Sequence, residues 1–137
     1  MLAAIATALR PLDEVRAALL FGSRATGSAR ADSDIDVAVL LDATLAPERP
    51  IERLSRLLKA LAKELAADRL DLVILNDAPP ALAFQVLKHG RVAFERDARD
   101  LHRLRVRTYS QHADYQHAES VFREATRRRA ARGVARG

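Results

Sequence analysis

The chain of 137 residues has no cysteine and no tryptophan, one methionine, and only two tyrosines and four phenylalanines. Without cysteine there are no disulfides and no thiolate metal centres, which excludes zinc ribbons, iron–sulfur proteins and secreted disulfide scaffolds. No apolar run reaches the roughly 20 residues that span a bilayer, and the first residues lack a basic segment followed by an apolar one. A cytoplasmic protein without membrane contact is the expectation. Glycine and proline are also scarce, at five each. Those present therefore mark turns and element boundaries.

What remains is half hydrophobic, at 49%, with a formal net charge of +5. The length suits one core and is short for two ordinary domains. Residues 1–96 carry 13 basic and 13 acidic groups, whereas residues 97–137 carry 10 and 5. The expected organisation follows this division, with a core unit over 1–96 and a basic helical extension over 97–137. Residues 127–137, rich in Arg, Ala and Gly, are expected to fray. An Arg-rich surface suits phosphate or carboxylate, so the extension reads as a solvated face or as a dock for an acidic protein or RNA.

Hydrophobic spacing places the elements. Residues 2–10 read as a short helix stopped by Pro11, and Val15–Phe21 as a buried strand. Ser23–Thr26 is a single helical turn ended by Gly27, and 28–33 a polar loop. Asp34–Leu41 is a second strand, with Ile35, Val37, Val39 and Leu41 on one face. Pro47 and Pro50 punctuate a loop before an amphipathic helix whose stripe is Ile51, Leu54, Leu57, Leu58, Leu61 and Leu65. Arg69–Leu75 is a buried strand. A helix opened by Pro79 and Pro80, capped by Asn76 or Asp77, ends at Gly90. Arg91–Glu95 is an edge strand, and Asp97 with Asp100 opens a long helix running to about Arg128. On that helix Leu101, Leu104, Thr108, His112, Tyr115 and Phe122 form a rough stripe, and the histidines match no metal-ligand spacing. The first two strands are joined by too little chain for a helical crossover, so they are expected to pair antiparallel. The fold class is α/β, a mixed β-sheet flanked by helices with a long C-terminal helix.

Chemistry concentrates between Leu20 and Val39. A strand runs into Gly22-Ser23, where glycine allows close backbone approach and the N–H groups of the following turn favour an anion. Asp34 and Asp36 then open the next strand two residues apart, on one face. A third acid, Asp71, interrupts Leu70-Asp71-Leu72-Val73, where burial would be costly without a partner or metal. Oxygen donors without Cys or His favour Mg²⁺ or Mn²⁺. A phosphate cradle facing a carboxylate pair fits metal-assisted nucleotide chemistry, in-line attack at an α-phosphorus with pyrophosphate leaving. Gly22, Ser23 and Arg24 are the candidate nucleotide-binding residues. Asp34, Asp36 and Asp71 are the candidate catalytic and metal-binding residues, with Asp71 either accepting the attacking hydroxyl's proton or ligating a second ion.

Gly22-Ser23 followed after ten residues by Asp34-x-Asp36 resembles the signature of the DNA polymerase β-type nucleotidyltransferase superfamily. Gly22–Val37 together with Leu70–Val73 and Leu75-Asn76 is similar to its minimal nucleotidyltransferase (MNT) domain, over about residues 12–96. Many relatives carry Arg where this chain has Thr26. The resemblance implies a nucleotidyltransferase fold, Mg²⁺ on the three acids and ATP as substrate. It further implies an antitoxin of the MntA type, which transfers AMP to a tyrosine of a HEPN ribonuclease toxin and binds that toxin as a hetero-oligomer. The alternatives are transfer to a small molecule (aminoglycoside-like) or to RNA, or an antitoxin acting by binding alone.

Overall fold

The computed structural model describes residues 1–30, 33–45 and 49–136. In order these form α1 (Leu2–Leu9), β1 (Val15–Phe21), α2 (Ser23–Thr26), β2 (Ile35–Leu41), a 3₁₀ turn (Ala43–Leu45), α3 (Pro50–Leu65), β3 (Leu70–Ile74), α4 (Pro80–His89), β4 (Arg91–Glu95) and α5 (Ala98–Arg136). Parts of the loops expected around 28–33 and Pro47 lie outside the described residues.

The strands build one mixed sheet in the order β3-β2-β1-β4. β1 is antiparallel to both β2 and β4, whereas β2 and β3 run parallel. The short link between β1 and β2 forces the first pairing, and α3 supplies the crossover that the parallel pair needs. Strand alternation sends Val15, Ala18, Leu20, Ile35, Val37 and Val39 to one face, where Ile5 and Leu9 of α1 and Leu57 and Leu61 of α3 cover them. Ala17, Leu19 and Ala38 face the other way, against Ala83, Val86 and Leu87 of α4 and Leu101 and Leu104 of α5. Each of the larger buried aliphatics contributes about 1.5–3 kcal/mol of transfer free energy, which fixes the three layers.

Several expectations need correction. The Arg69–Leu75 segment is not a fully buried strand: β3 lies at the margin of the sheet, and Asp71 is exposed. Neither Asn76 nor Asp77 caps α4, whose N-cap is Pro79. Asn76 instead bridges to β2, its Oδ1 accepting from the Leu41 N–H at 2.9 Å and its Nδ2 donating to the Leu41 carbonyl at 2.8 Å. This gives the end of β2 the pairing that β3, two residues shorter there, cannot provide. Ile51 is 81% exposed and falls outside the α3 stripe, because the first turn overhangs the core. The final helix does not stop near Arg128 but continues through Arg136, over residues expected to fray. Its start follows the sequence: Asp97 Oδ1 accepts the Arg99 N–H at 2.9 Å, and Asp100 accepts from Arg16 of β1 at 2.8 Å.

Candidate active site

The site forms where β1 leaves the sheet and β2 enters it. Gly22 has φ +71°, and an added Cβ there would lie 2.2 Å from Asp36 Oδ2. Both facts demand glycine: the backbone is in a region other residues rarely adopt, and the carboxylate occupies the space a side chain would fill. The Gly22 carbonyl accepts from the Ala25 and Thr26 N–H groups at 3.1 and 3.3 Å. This winds Ser23–Thr26 into one turn, which Gly27 closes at φ +79°. The first N–H groups of such a turn have no acceptor within it, so the Gly22–Ser23 bend presents donors beside a carboxylate.

Asp36 is half-buried at the second position of β2, opposite Phe21 on β1. On the other side the parallel register sets Asp36 directly beside Asp71 of β3. Asp34, exposed, immediately precedes the strand. Period-two alternation turns Asp34 and Asp36 to the same face as Ala38, and the lateral pairing brings Asp71 to them. The electrostatics agree. Burial raises the Asp36 carboxyl above its ordinary value, and the negative charges of Asp71 and then Asp34 raise it further. A carboxylate held beside two others gains from a cation.

Among the described residues, no three His, Asp or Glu side chains close around a point that could cage a metal by themselves. Mg²⁺ does not require such a cage; it is held by one or two carboxylates with substrate phosphates and water completing the octahedron. An oxygen-only donor set, repulsion centred on Asp36 and backbone donors at Gly22–Ser23 fit a metal–triphosphate better than a resident ion.

Arg24 occupies a second position of interest. Its Nη2 donates to the Ser33 carbonyl at 3.0 Å, and Ser33 Oγ accepts the Arg30 N–H at 2.8 Å. Arg24 thereby braces the residue before Asp34 against the helical turn. Thr26 bonds locally: its Oγ1 lies 3.0 Å from Ser28 Oγ. Spacing in the sequence brings Gly22, Ser23, Asp34 and Asp36 to notice, but the Arg24–Ser33 brace and the Asn76 bridge leave no periodic signal.

A sequence model of the family described as polymerase beta, nucleotidyltransferase, matches residues 3–99. The chain belongs to this family. The matched residues include the whole sheet, the Gly22-Ser23 bend and the acids on β2 and β3. No curated protein sequence matches the chain. Among solved structures, the nucleotidyltransferase chain is similar to a toxin–antitoxin crystallised with AMP-PNP, with 28% identity, a TM-score of 0.73, and coverage of 91% of this chain and 97% of that one. An MntA–HepT toxin–antitoxin structure shares 27% identity at a TM-score of 0.65, covering 89% and 92%. A complex of a tri-AMPylated Shewanella oneidensis HEPN toxin with an MNT antitoxin shares 28% identity at a TM-score of 0.65, again covering 89% and 92%. No described helix is long and apolar enough to cross a membrane.

Proposed function

We propose that this nucleotidyltransferase is the antitoxin of a HEPN–MNT pair and transfers AMP from ATP to a tyrosine of its cognate HEPN ribonuclease toxin. The observation that carries the chemistry is the packing of Gly22 against Asp36, with Asp71 in register beside it. The acceptor and partner are supported by similarity to solved complexes described as a toxin–antitoxin with AMP-PNP and as an AMPylated HEPN toxin with its MNT antitoxin.

In this reading Gly22 and Ser23 hold the ATP phosphates through backbone and hydroxyl donors, and Arg24 lends positive charge while bracing Ser33. Asp34 and Asp36 hold Mg²⁺, with Asp71 completing the acidic set. Bound Mg²⁺ supplies neutralisation of the charge on the attacking and leaving oxygens. Asp71, exposed on β3, accepts the proton of the incoming tyrosine hydroxyl. The tyrosine oxygen bonds to the α-phosphorus as the bond to the β-phosphate oxygen breaks, and pyrophosphate leaves. The protein's contribution is orientation and fixed dipoles rather than a covalent intermediate.

Incubating the protein with ATP, Mg²⁺ and its cognate toxin is expected to add AMP to the toxin, detected by mass spectrometry on a tyrosine peptide. The Asp34→Ala/Asp36→Ala double variant is expected to lose the modification and the neutralisation of toxin together. Neutralisation persisting in the double variant would assign the effect to binding alone. Transfer to an aminoglycoside or to RNA, with an unmodified toxin, would redirect the acceptor.

A further inference from the structure

The net positive charge of this protein comes from one place in the chain. Residues 1–119 carry 17 basic and 17 acidic groups and are neutral, whereas residues 120–137 carry six arginines against Glu124 alone. The whole formal excess of +5 therefore sits at the end of α5. That part of the helix packs on nothing: Thr108 is the last fully buried residue, and residues 120–132 are exposed throughout. At 1.5 Å per residue, Arg132 lies roughly 36 Å along the helix from Thr108. A helix polar on all sides is ordinarily held by side-chain pairs or by a partner. Here Glu119 pairs with Arg123, and Glu124 with Arg127 and Arg128 at 3.6 and 3.3 Å. Arg129 and Arg132 form no ion pair among the described residues.

The arrangement of the arginines around the helix separates the two kinds of partner. At about 100° per residue, Arg127, Arg128, Arg129 and Arg132 point near 40°, 140°, 240° and 180° relative to Arg123. They ring more than half of the cylinder rather than forming a stripe. A protein groove reads one face through apolar anchors at i, i+3, i+4 and i+7, and between Arg123 and Arg132 the other residues are Glu, Thr and Ala. A helix with positive charge on both flanks and small residues between them suits a trough with negative walls. The major groove of B-form DNA, about 12 Å wide, admits an α-helix, whereas the A-form RNA major groove is too narrow.

We infer that the C-terminal arm of α5 lies in the major groove of duplex DNA, its arginines on the phosphates of both walls. With its arginines on the phosphates the arm binds through the DNA backbone, and with no Asn or Gln for bidentate contact with adenine the one base preference it could add is Arg to guanine. This does not depend on the adenylyl-transfer reading, because the arm lies outside the acidic site.

The test uses the full chain and fluorescence anisotropy with a labelled DNA duplex of about 20 base pairs, an RNA duplex of the same sequence, and a salt series. DNA binding in the range of about 10⁻⁴–10⁻⁶ M, falling with salt, is expected. Replacing Arg127, Arg128, Arg129 and Arg132 with Gln keeps helix propensity, which circular dichroism verifies. The variant should lower the log–log salt slope by about 3.6, at about 0.9 per lost phosphate contact. No DNA binding, an unchanged slope in a helical variant, or tighter binding to the RNA duplex would each overturn the inference. So would loss of cognate toxin binding in the variant with DNA affinity intact, which would make the arm a protein dock.

Discussion

At the residue scale, Asp36 exchanges stability for charge. Burial and its acidic neighbours raise its carboxyl above the ordinary aspartate value of 3.8. A carboxyl with a raised folded value favours the folded state most when protonated. Its contribution is therefore greatest below the unfolded value and falls as pH rises through the raised one, leaving a penalty at neutral pH. Asp36→Asn is thus expected to raise the melting temperature of the metal-free protein at pH 7, with a gain that shrinks as pH falls through the raised value and is gone below about pH 4, measured by calorimetry across pH. The same variant should lose stabilisation by Mg²⁺ and nucleotide. Gly22 is the opposite case, since nothing there can be improved. Gly22→Ala places a Cβ 2.2 Å from Asp36 Oδ2 at a φ of +71°, and is expected to abolish nucleotide binding by calorimetry while costing about 1–3 kcal/mol of stability. These two residues were legible because their chemistry is local: a Gly-Ser bend and an i, i+2 acid pair are patterns in the chain itself. The Arg24–Ser33 brace was not, since a guanidinium can reach many carbonyls and the backbone alone decides which.

At the element scale, hydrophobic period and the turn and cap residues located the four strands and five α-helices of the described residues, though not the 3₁₀ turn Ala43–Leu45, and the short β1–β2 link fixed their antiparallel pairing. It failed where position in the sheet, not periodicity, decides burial. Leu70-Asp71-Leu72-Val73-Ile74 has the apolar run of an interior strand, yet β3 sits at the margin because nothing pairs beyond it among the described residues. Asn76 was misread for a related reason. Beside Pro79 and Pro80 it looks like a helix cap, but the end of β2 overshoots its neighbour and takes both polar groups of the side chain. Asn76→Ala leaves the Leu41 N–H and carbonyl without these partners, and is expected to cost about 1–3 kcal/mol in urea denaturation with an unchanged m-value. Asp97, at the head of α5, is held well below the usual carboxylate range, first by the Arg99 side chain and then by the Arg99 N–H. A lowered carboxyl contributes stability above its unfolded value, lost as pH falls through and below that value. Asp97→Asn should accordingly destabilise at pH 7, and by progressively less below about pH 4.

At the scale of the whole molecule, two layers of helix lock a four-stranded sheet while leaving the acidic corner open. Ligand binding to the folded state alone adds about 2.7 kcal/mol at a hundredfold excess over Kd. Mg²⁺ with AMP-PNP is therefore expected to raise the melting temperature of the native chain and to leave the Asp34→Ala/Asp36→Ala variant unmoved. An equal rise in both would remove the acids from the nucleotide site. Leu101, fully buried on the inner side of α5, anchors the helix to the body, and Leu101→Ala is expected to cost about 2–5 kcal/mol without changing Mg²⁺ affinity at the acids.

The position of β3 carries one more consequence. The third carboxylate of the proposed site stands on an outer strand of the sheet, so among the described residues no further strand walls that site beyond β3. A bulky acceptor, even one still attached to a folded macromolecule, can come in from the open flank without any lid moving aside. Among the described residues, the outer edge of β3 beside Asp71 pairs with no further strand. A peptide that added itself there as a fifth strand would close the entrance and act as a competitive inhibitor.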